Sequence, residues 1–220
     1  MNNHALEEHL QKYGLKVLSL IKQGSMLKTG QRLVLIGNSS EGMWPAFSQS
    51  DEYRLRTSDP LDRWSRRLGQ HLADEYNGQV IYPFTGPPYQ PFLSWAQRNG
   101  DSFQSPLGLH IHRQHGLWHG YRFGLILDRN HLNEPHSDPS KPTHHPCLDC
   151  IQPCMQACPV NAFTADGYNV AACRTYVQKN PQTSCAQHGC AARLACPVGP
   201  TGGYEPEQRK YHMAIFVRQT

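Results

Sequence analysis

All eight cysteines of this 220-residue chain lie in its last third, between Cys147 and Cys196. That crowding constrains the fold more than any other feature, because clustered thiols have to be paired, metallated or kept apart. The first group reads Cys147-Leu-Asp-Cys150-Ile-Gln-Pro-Cys154-Met-Gln-Ala-Cys158-Pro159, and the second is Cys173, Cys185, Cys190 and Cys196-Pro197. Two groups of four, each closed by Cys-Pro, match the arithmetic of two [4Fe–4S] cubanes. In two-cluster folds of this kind, three closely spaced cysteines hold one cube. The fourth, just before proline, reaches across to the other. The expected sets are therefore Cys147, Cys150, Cys154 and Cys196 on one cluster, and Cys158, Cys173, Cys185 and Cys190 on its partner.

Structural zinc and disulfides are the rival readings. Zinc usually takes two separated Cys-x2-Cys knuckles, and only Cys147–Cys150 has that spacing here. Disulfides need an oxidising compartment, whereas the start of the chain carries no basic segment followed by an apolar one. One spacing departs from the bacterial ferredoxin run. Three residues separate Cys150 from Cys154 where that run has two, which bears on which thiol caps which cube.

Composition narrows the partners. The formal charge is +4 and no block of five like charges occurs, so nucleic acid is not expected as a partner. No apolar run approaches the roughly 18 residues needed to span a bilayer. The only Arg-Arg pair, Arg66-Arg67, falls inside a helical pattern rather than in an export signal. A cytoplasmic protein with no membrane attachment is the expectation.

Along the chain, Leu6, Leu10, Tyr13, Val17, Leu20 and Ile21 recur at three and four, predicting one amphipathic helix over 5–22. Arg32-Leu-Val-Leu-Ile36 predicts a buried strand, closed by Gly37-Asn-Ser-Ser40. Asp59-Pro60 predicts a helix start. Leu61, Trp64, Leu68, Leu72 and Tyr76 continue it, and Asn77-Gly78 ends it. Further strands are expected over 79–84, 107–112 and 121–127, the last two joined by a turn near Gly116. Asp166-Gly167 marks a hairpin within 160–170, and 211–217 is apolar enough to be a final packed segment. The fold class expected is α+β, an α/β layer followed by a cysteine module. The boundaries read as an N-terminal domain over 1–132, a Pro-rich connector over 133–146 and a cysteine domain over 147–220.

Other segments invite chemistry. His110, His112, His115 and His119 crowd a short span, with His110 and His112 on one face of a strand and Ile111 on the other. Either these line a solvated sheet edge, or they form a pocket wall facing a cofactor or metal. The stiff stretch 82–92, rich in proline and aromatics, reads as a loop over the sheet or a pocket lid. The loop 37–42 lacks both Gly-x-Gly-x-x-Gly and the phosphate-loop lysine, which argues against a nucleotide site. Trp44 and Trp118 read as packing residues.

The cysteine half, with Cys158-Pro-Val-Asn-Ala-Phe-Thr, Cys173-Arg-Thr-Tyr-Val and Gly189-Cys190 leading to Cys196-Pro197, resembles the ferredoxin portion of epoxyqueuosine reductase and the corrinoid reductive dehalogenases. The N-terminal half is similar to cobalamin-processing, decyanating proteins. The likeness rests on Arg32-Leu-Val-Leu-Ile, Asp59-Pro60-Leu-Asp62 and Ile111-His112-Arg-Gln-His-Gly116-Leu-Trp118-His-Gly-Tyr-Arg122. The resemblance implies a flavin-nitroreductase-like N-terminal domain followed by a two-cluster bacterial-ferredoxin-like domain. It implies cobalamin (or FMN) bound by His112, Gly116, Trp118 and Arg122, with electrons arriving through two [4Fe–4S] clusters. It identifies no catalytic acid. Two functions follow as expectations. One is a corrinoid- or flavin-dependent oxidoreductase, or cofactor-processing protein, acting on a small-molecule substrate and fed by a ferredoxin- or flavodoxin-like electron donor. The alternative is a ferredoxin-type carrier whose N-terminal domain docks a partner protein.

Overall fold

The computed structural model describes residues 4–40, 42–55, 58–132, 144–200 and 203–218. In chain order the elements are α1 (His4–Gln11), β1 (Leu15–Ile21), β2 (Gln31–Asn38), α2 (Met43–Ser48), α3 (Asp51–Arg54), α4 (Pro60–Glu75), β3 (Gln79–Ile81) and α5 (Phe92–Arg98). There follow β4 (Ser102–Gln104), β5 (His110–His112), β6 (Gly120–Asp128), α6 (Pro153–Gln156), β7 (Phe163–Thr164), β8 (Gly167–Tyr168), α7 (Val170–Lys179), α8 (Ser184–His188), α9 (Ala191–Leu194) and α10 (Pro206–Arg218). The class is mixed α+β with small antiparallel sheets. Among the described residues, no helix is long and apolar enough to cross a membrane.

Two compact units divide the chain. One comprises 4–102 with 119–132, the other 103–118 with 144–218. The segment 103–118, read from sequence as part of the N-terminal domain, therefore belongs to the unit that carries the cysteines. Of the expected connector, 133–143 lies outside the described residues.

In the first unit the sheet order is β1-β2-β6-β3, antiparallel throughout. The central strands β2 and β6 are buried along most of their length, as covering on both faces requires. Alternation puts Leu33 and Leu35 on one face, and the register irregularity opposite Ile36/Gly37 brings Tyr121 to the same side as Ile126. These residues pack with Leu18, Phe92 and Ala96, so α5 covers that face. Helix α4 lies against the sheet through Gly69, where an added Cβ would stand 3.0 Å from Val80 and 3.1 Å from Phe123. Its buried positions Leu61, Trp64, Leu68, Gly69 and Leu72 keep the three-four spacing seen in the sequence.

Both ends of α4 differ in detail from their motifs. Asp59 precedes Pro60 as expected, but it sits in the left-handed region (φ 48°) and its side chain makes no capping bond. At the other end Asn77 adopts φ 50°. The Gly78 N–H donates to the Ala73 carbonyl (2.8 Å) and the Asn77 N–H to that of Asp74 (3.3 Å), which closes a Schellman motif.

The single helix expected over 5–22 is instead α1 followed by β1. Gly14 takes φ 62° and ends the helical turn, and a Cβ there would collide with the Gly42 backbone. Beyond it, pairing with β2 decides in favour of strand: Val17, Leu20 and Ile21 register with Ile36, Val34 and Leu33. Helical and strand periods both fit such a short apolar run, and the long-range hydrogen bonds settle which one forms.

A buried polar knot joins α5 to β1. The end of α5 turns at Gly100 (φ 74°), with Asp101 N–H donating to the Ala96 carbonyl at 3.0 Å. This turn delivers Asp101, 8% exposed, to β1, where it accepts from the Ser19 hydroxyl and from Asn99 Nδ2 (2.6 Å). Its negative charge is thus met by two donors rather than left bare.

Around Phe47, fully buried, stand Tyr53 (5.2 Å between ring centroids), Trp64 (5.6 Å) and Trp44 (5.9 Å), all edge-on. A Phe47→Ala substitution is expected to destabilise the protein by about 3–5 kcal/mol. Denaturant unfolding checks this, with a shift below about 1 kcal/mol counting against the aromatic cluster as the local core.

Candidate metal centre

Each cysteine reaches its place through very short local structure. The Cys147 N–H donates to His145 Nδ1 (3.1 Å), and His145 Nε2 lies 3.0 Å from the Gln104 carbonyl, so the imidazole ties the start of the cysteine loop to β4. Gln152, in the left-handed region, turns the chain into α6, which carries Cys154. Cys158 and Pro159 leave α6 for the β7–β8 hairpin, where Phe163 pairs with Tyr168. Asn169 caps α7, its side chain accepting from Ala172 N–H at 2.9 Å, and so places Cys173 in the first turn. Cys185 rides on α8, Gly189 (φ 99°) reverses the chain, and Cys190 caps α9 ahead of Cys196.

All eight are free thiols, and none is exposed. Burial, first of all, raises the pKa of Cys147 to about 11, with the neighbouring Cys196, Cys150 and Cys154 adding to it. Cys154 is raised by burial, then by Cys196 and Cys150, and Cys196 by burial and Cys150. On the other side, Cys173 is raised by burial, then by Cys158 and Cys185, while Cys190 is raised by burial, then by Cys185 and Cys173. Among the shifted thiols, Cys147, Cys154 and Cys196 feel thiols of the expected set Cys147, Cys150, Cys154 and Cys196, and Cys173 and Cys190 feel those of the expected set Cys158, Cys173, Cys185 and Cys190.

Among the described residues no three His, Cys, Asp or Glu side chains stand close enough to share one metal ion. Four thiolates on a cube each bind a different iron, so they stand farther apart than the ligands of a single zinc. The donor chemistry also fits. Sulfur acts alone in both sets, as iron–sulfur clusters ask, and a cavity of about 330 Å³ opens onto Cys158, Cys173, Cys185 and Cys190. Backbone N–H groups point at the sulfurs: Gln152 to Cys150 and Ala162 to Cys158, each at 3.3 Å.

The remaining expected site residues are His112, Gly116, Trp118 and Arg122. His112 is 2% exposed, so it lines no solvated sheet edge. Its Nδ1 accepts from Gln114 N–H (3.2 Å) and His115 N–H (3.3 Å) within a hairpin closed by reciprocal bonds between His112 and Gly116. Gly116 (φ 57°) lies so close to Val198 that a Cβ would stand 2.0 Å from its carbonyl oxygen. Trp118 is buried under the Arg193 guanidinium, 4.2 Å from its ring centroid, with Tyr204 edge-on at 5.2 Å. Arg193 also donates to the Leu117 carbonyl (3.1 Å). These three residues belong to the second unit, whereas Arg122 lies on β6 in the first, where its charge acts on Asp62.

The expected turn near Gly116 is present between β5 and β6, but the two strands join different sheets: β5 pairs with β4, and β6 with β2 and β3. Sequence reasoning missed His145 and Tyr168, both of which touch the cysteine region. His145, two residues before Cys147, had a positional signal, but Tyr168 had none beyond its place in the hairpin.

No protein-family model matches the chain, and no curated protein matches it by sequence.

A thiol held neutral alkylates slowly, because the thiolate is the nucleophile. In metal-free protein, the iodoacetamide labelling rate of Cys147, resolved by peptide mass spectrometry, should keep climbing beyond pH 9.5. A plateau near the ordinary thiol value of about 8.5 would contradict the burial and crowding described here.

Proposed function

We infer that this chain is an iron–sulfur electron-transfer protein holding two [4Fe–4S] clusters, one on Cys147, Cys150, Cys154 and Cys196 and the other on Cys158, Cys173, Cys185 and Cys190. The observation that carries the reading is the sorting of eight unpaired, sheltered thiols into two sets, with each shifted thiol influenced only by its own set. Bound clusters would supply one-electron transfer. The protein's part is to deprotonate and present the sulfurs, to aim backbone N–H groups at them, and to keep water from them with the apolar residues packed around them. Such a module takes electrons from a ferredoxin- or flavodoxin-like donor. Reduced thiols suit a cytoplasmic setting.

A nitroreductase-like first unit holding a corrinoid or FMN is the more ambitious version. It has weaker support, because His112 Nδ1 already accepts from Gln114 and His115 N–H and the Trp118 ring is already packed against Arg193 and Tyr204. The carrier reading, with the first unit docking a partner, therefore leads.

Anaerobically reconstituted protein should contain about eight irons per chain. Cys154→Ser and Cys185→Ser should each lower this toward about four, since each removes a ligand from a different set. Four irons in the wild type, or bound zinc, would sink the two-cluster reading. Hydroxocobalamin and FMN are titrated separately against the same protein by absorbance. The expected result is no binding tighter than about 100 μM, near −5.5 kcal/mol, and saturable binding below that concentration would restore the corrinoid or flavin enzyme.

A further inference from the structure

Two short stretches of chain pass from one thiol set to the other. One runs from Cys154 to Cys158 as the chain leaves α6, and the other runs from Cys190 to Cys196 and carries α9. The two meet, since α9 packs on α6, and the buried Ala192 of α9 shares a packed cluster with Cys154 and Cys158. The second bridge is thus a single helical turn, and a turn that short has almost no stability of its own. Contacts from outside α9 have to hold it.

Those contacts come from the 112–118 hairpin, which grips the bridge on both sides of Cys196. Three residues before that cysteine, Arg193 Nε donates to the Leu117 carbonyl at 3.1 Å, and Nη2 donates to the same oxygen. The guanidinium lies 4.2 Å from the Trp118 ring centroid and 4.9 Å from that of Tyr204. Trp118 has little room to move away, because it is buried and a Cβ on Gly203 would stand 2.2 Å from its ring. Two residues after Cys196 the Val198 carbonyl lies against Gly116, and a Cβ on Gly199 would stand 2.9 Å from the Gly116 Cα. The hairpin is itself firmly closed. His112 and Gly116 exchange backbone bonds of 2.8 and 2.7 Å, and His112 Nδ1 accepts from the Gln114 and His115 N–H groups.

We propose that Arg193 is a positioning residue that fixes the separation of the two clusters: by clamping α9 to Leu117 and Trp118, it sets where Cys190 and Cys196 hold their respective cubes. The inference rests on the two-cluster reading above. Arginine suits the task because one planar group can fork onto a carbonyl and stack on aromatic rings at once, which a lysine ammonium cannot do. A metal site whose supporting shell is loose loses its geometry even when every ligand is present. Cys190 and Cys196 are the ligands at stake here, one from each set, and the clamp lies on the turn between them.

The test is EPR of anaerobically loaded, dithionite-reduced wild-type protein, Arg193→Met and Arg193→Lys, with iron counted on the same samples. Two reduced clusters are neighbouring paramagnets, and their dipolar interaction falls with the cube of the distance between them. Methionine keeps the apolar stem and removes the fork and the charge, whereas lysine keeps the charge over the rings without the fork. With about eight irons in each protein, the spin–spin splitting should shrink and broaden in Arg193→Met and lie between the two in Arg193→Lys. Eight irons with an unchanged splitting in Arg193→Met would overturn the role of Arg193 while leaving the clusters standing. A wild type with eight irons and no splitting would overturn it too. A wild type that takes up no four-iron clusters would remove both conclusions. Should Arg193→Met load short of eight irons, Arg193→Lys decides: a reduced splitting upholds the clamp and an unchanged one overturns it. Iron lost from both variants would make Arg193 a requirement for cluster assembly, and the spacing role would fall.

Discussion

Crowded, partly dehydrated sulfur governs the second unit. A thiolate taken out of water is costly, and a second thiolate beside it costs more, so burial and mutual repulsion both push the protons back onto the thiols. The same arrangement becomes favourable once positive metal charge stands among the sulfurs, because metal ligation requires the deprotonated form and releases its proton. Under the proposed function, the two sets would each take up a cationic inorganic core.

In the second unit α6, α7 and α8 each carry one cysteine, and α6 and α8 are only one turn or so long. The packed cluster at its centre counts Cys154 and Cys158 among its buried members, beside Leu107, Ile111, Leu117 and the small residues Ala162 and Ala192. Sulfur thus serves as core where aliphatic side chains would serve elsewhere. Much of what holds 103–118 to this unit is likewise specific: His145 on the Gln104 carbonyl, Arg193 stacked on Trp118, and Gly116 in backbone contact with Val198. The first unit needs no such device. Its antiparallel sheet buries ordinary aliphatic and aromatic residues on both faces, and the buried acid Asp101 has its donors at hand.

Where local pattern and final structure agree, the interaction involved is short in range or stoichiometric. The α4 stripe and the Asp166-Gly167 hairpin depend on neighbours a few residues away, and both formed as expected. The cysteine grouping of the proposed function rests on spacing and on the Cys-Pro ends. Three readings failed or were missed for a common reason. β1 was read as helix because its strand pairing comes from β2. His112 was read as part of a solvated edge or a pocket wall, yet tertiary packing covers it and backbone N–H groups take its Nδ1. Tyr168 went unnoticed because its place on the cavity wall beside Cys173 comes from the packing of the hairpin, which leaves no periodic trace.

By itself the sequence determined that eight thiols would gather in one region beside a mixed α+β portion, since those outcomes follow from residue count, spacing and local period. Only the tertiary structure decided that 103–118 packs with the cysteines and that Trp118 lies beneath Arg193. Those choices turn on contacts between residues as far apart in the chain as Leu117 and Arg193, whose free energies depend on a shared burial that no short stretch of sequence contains.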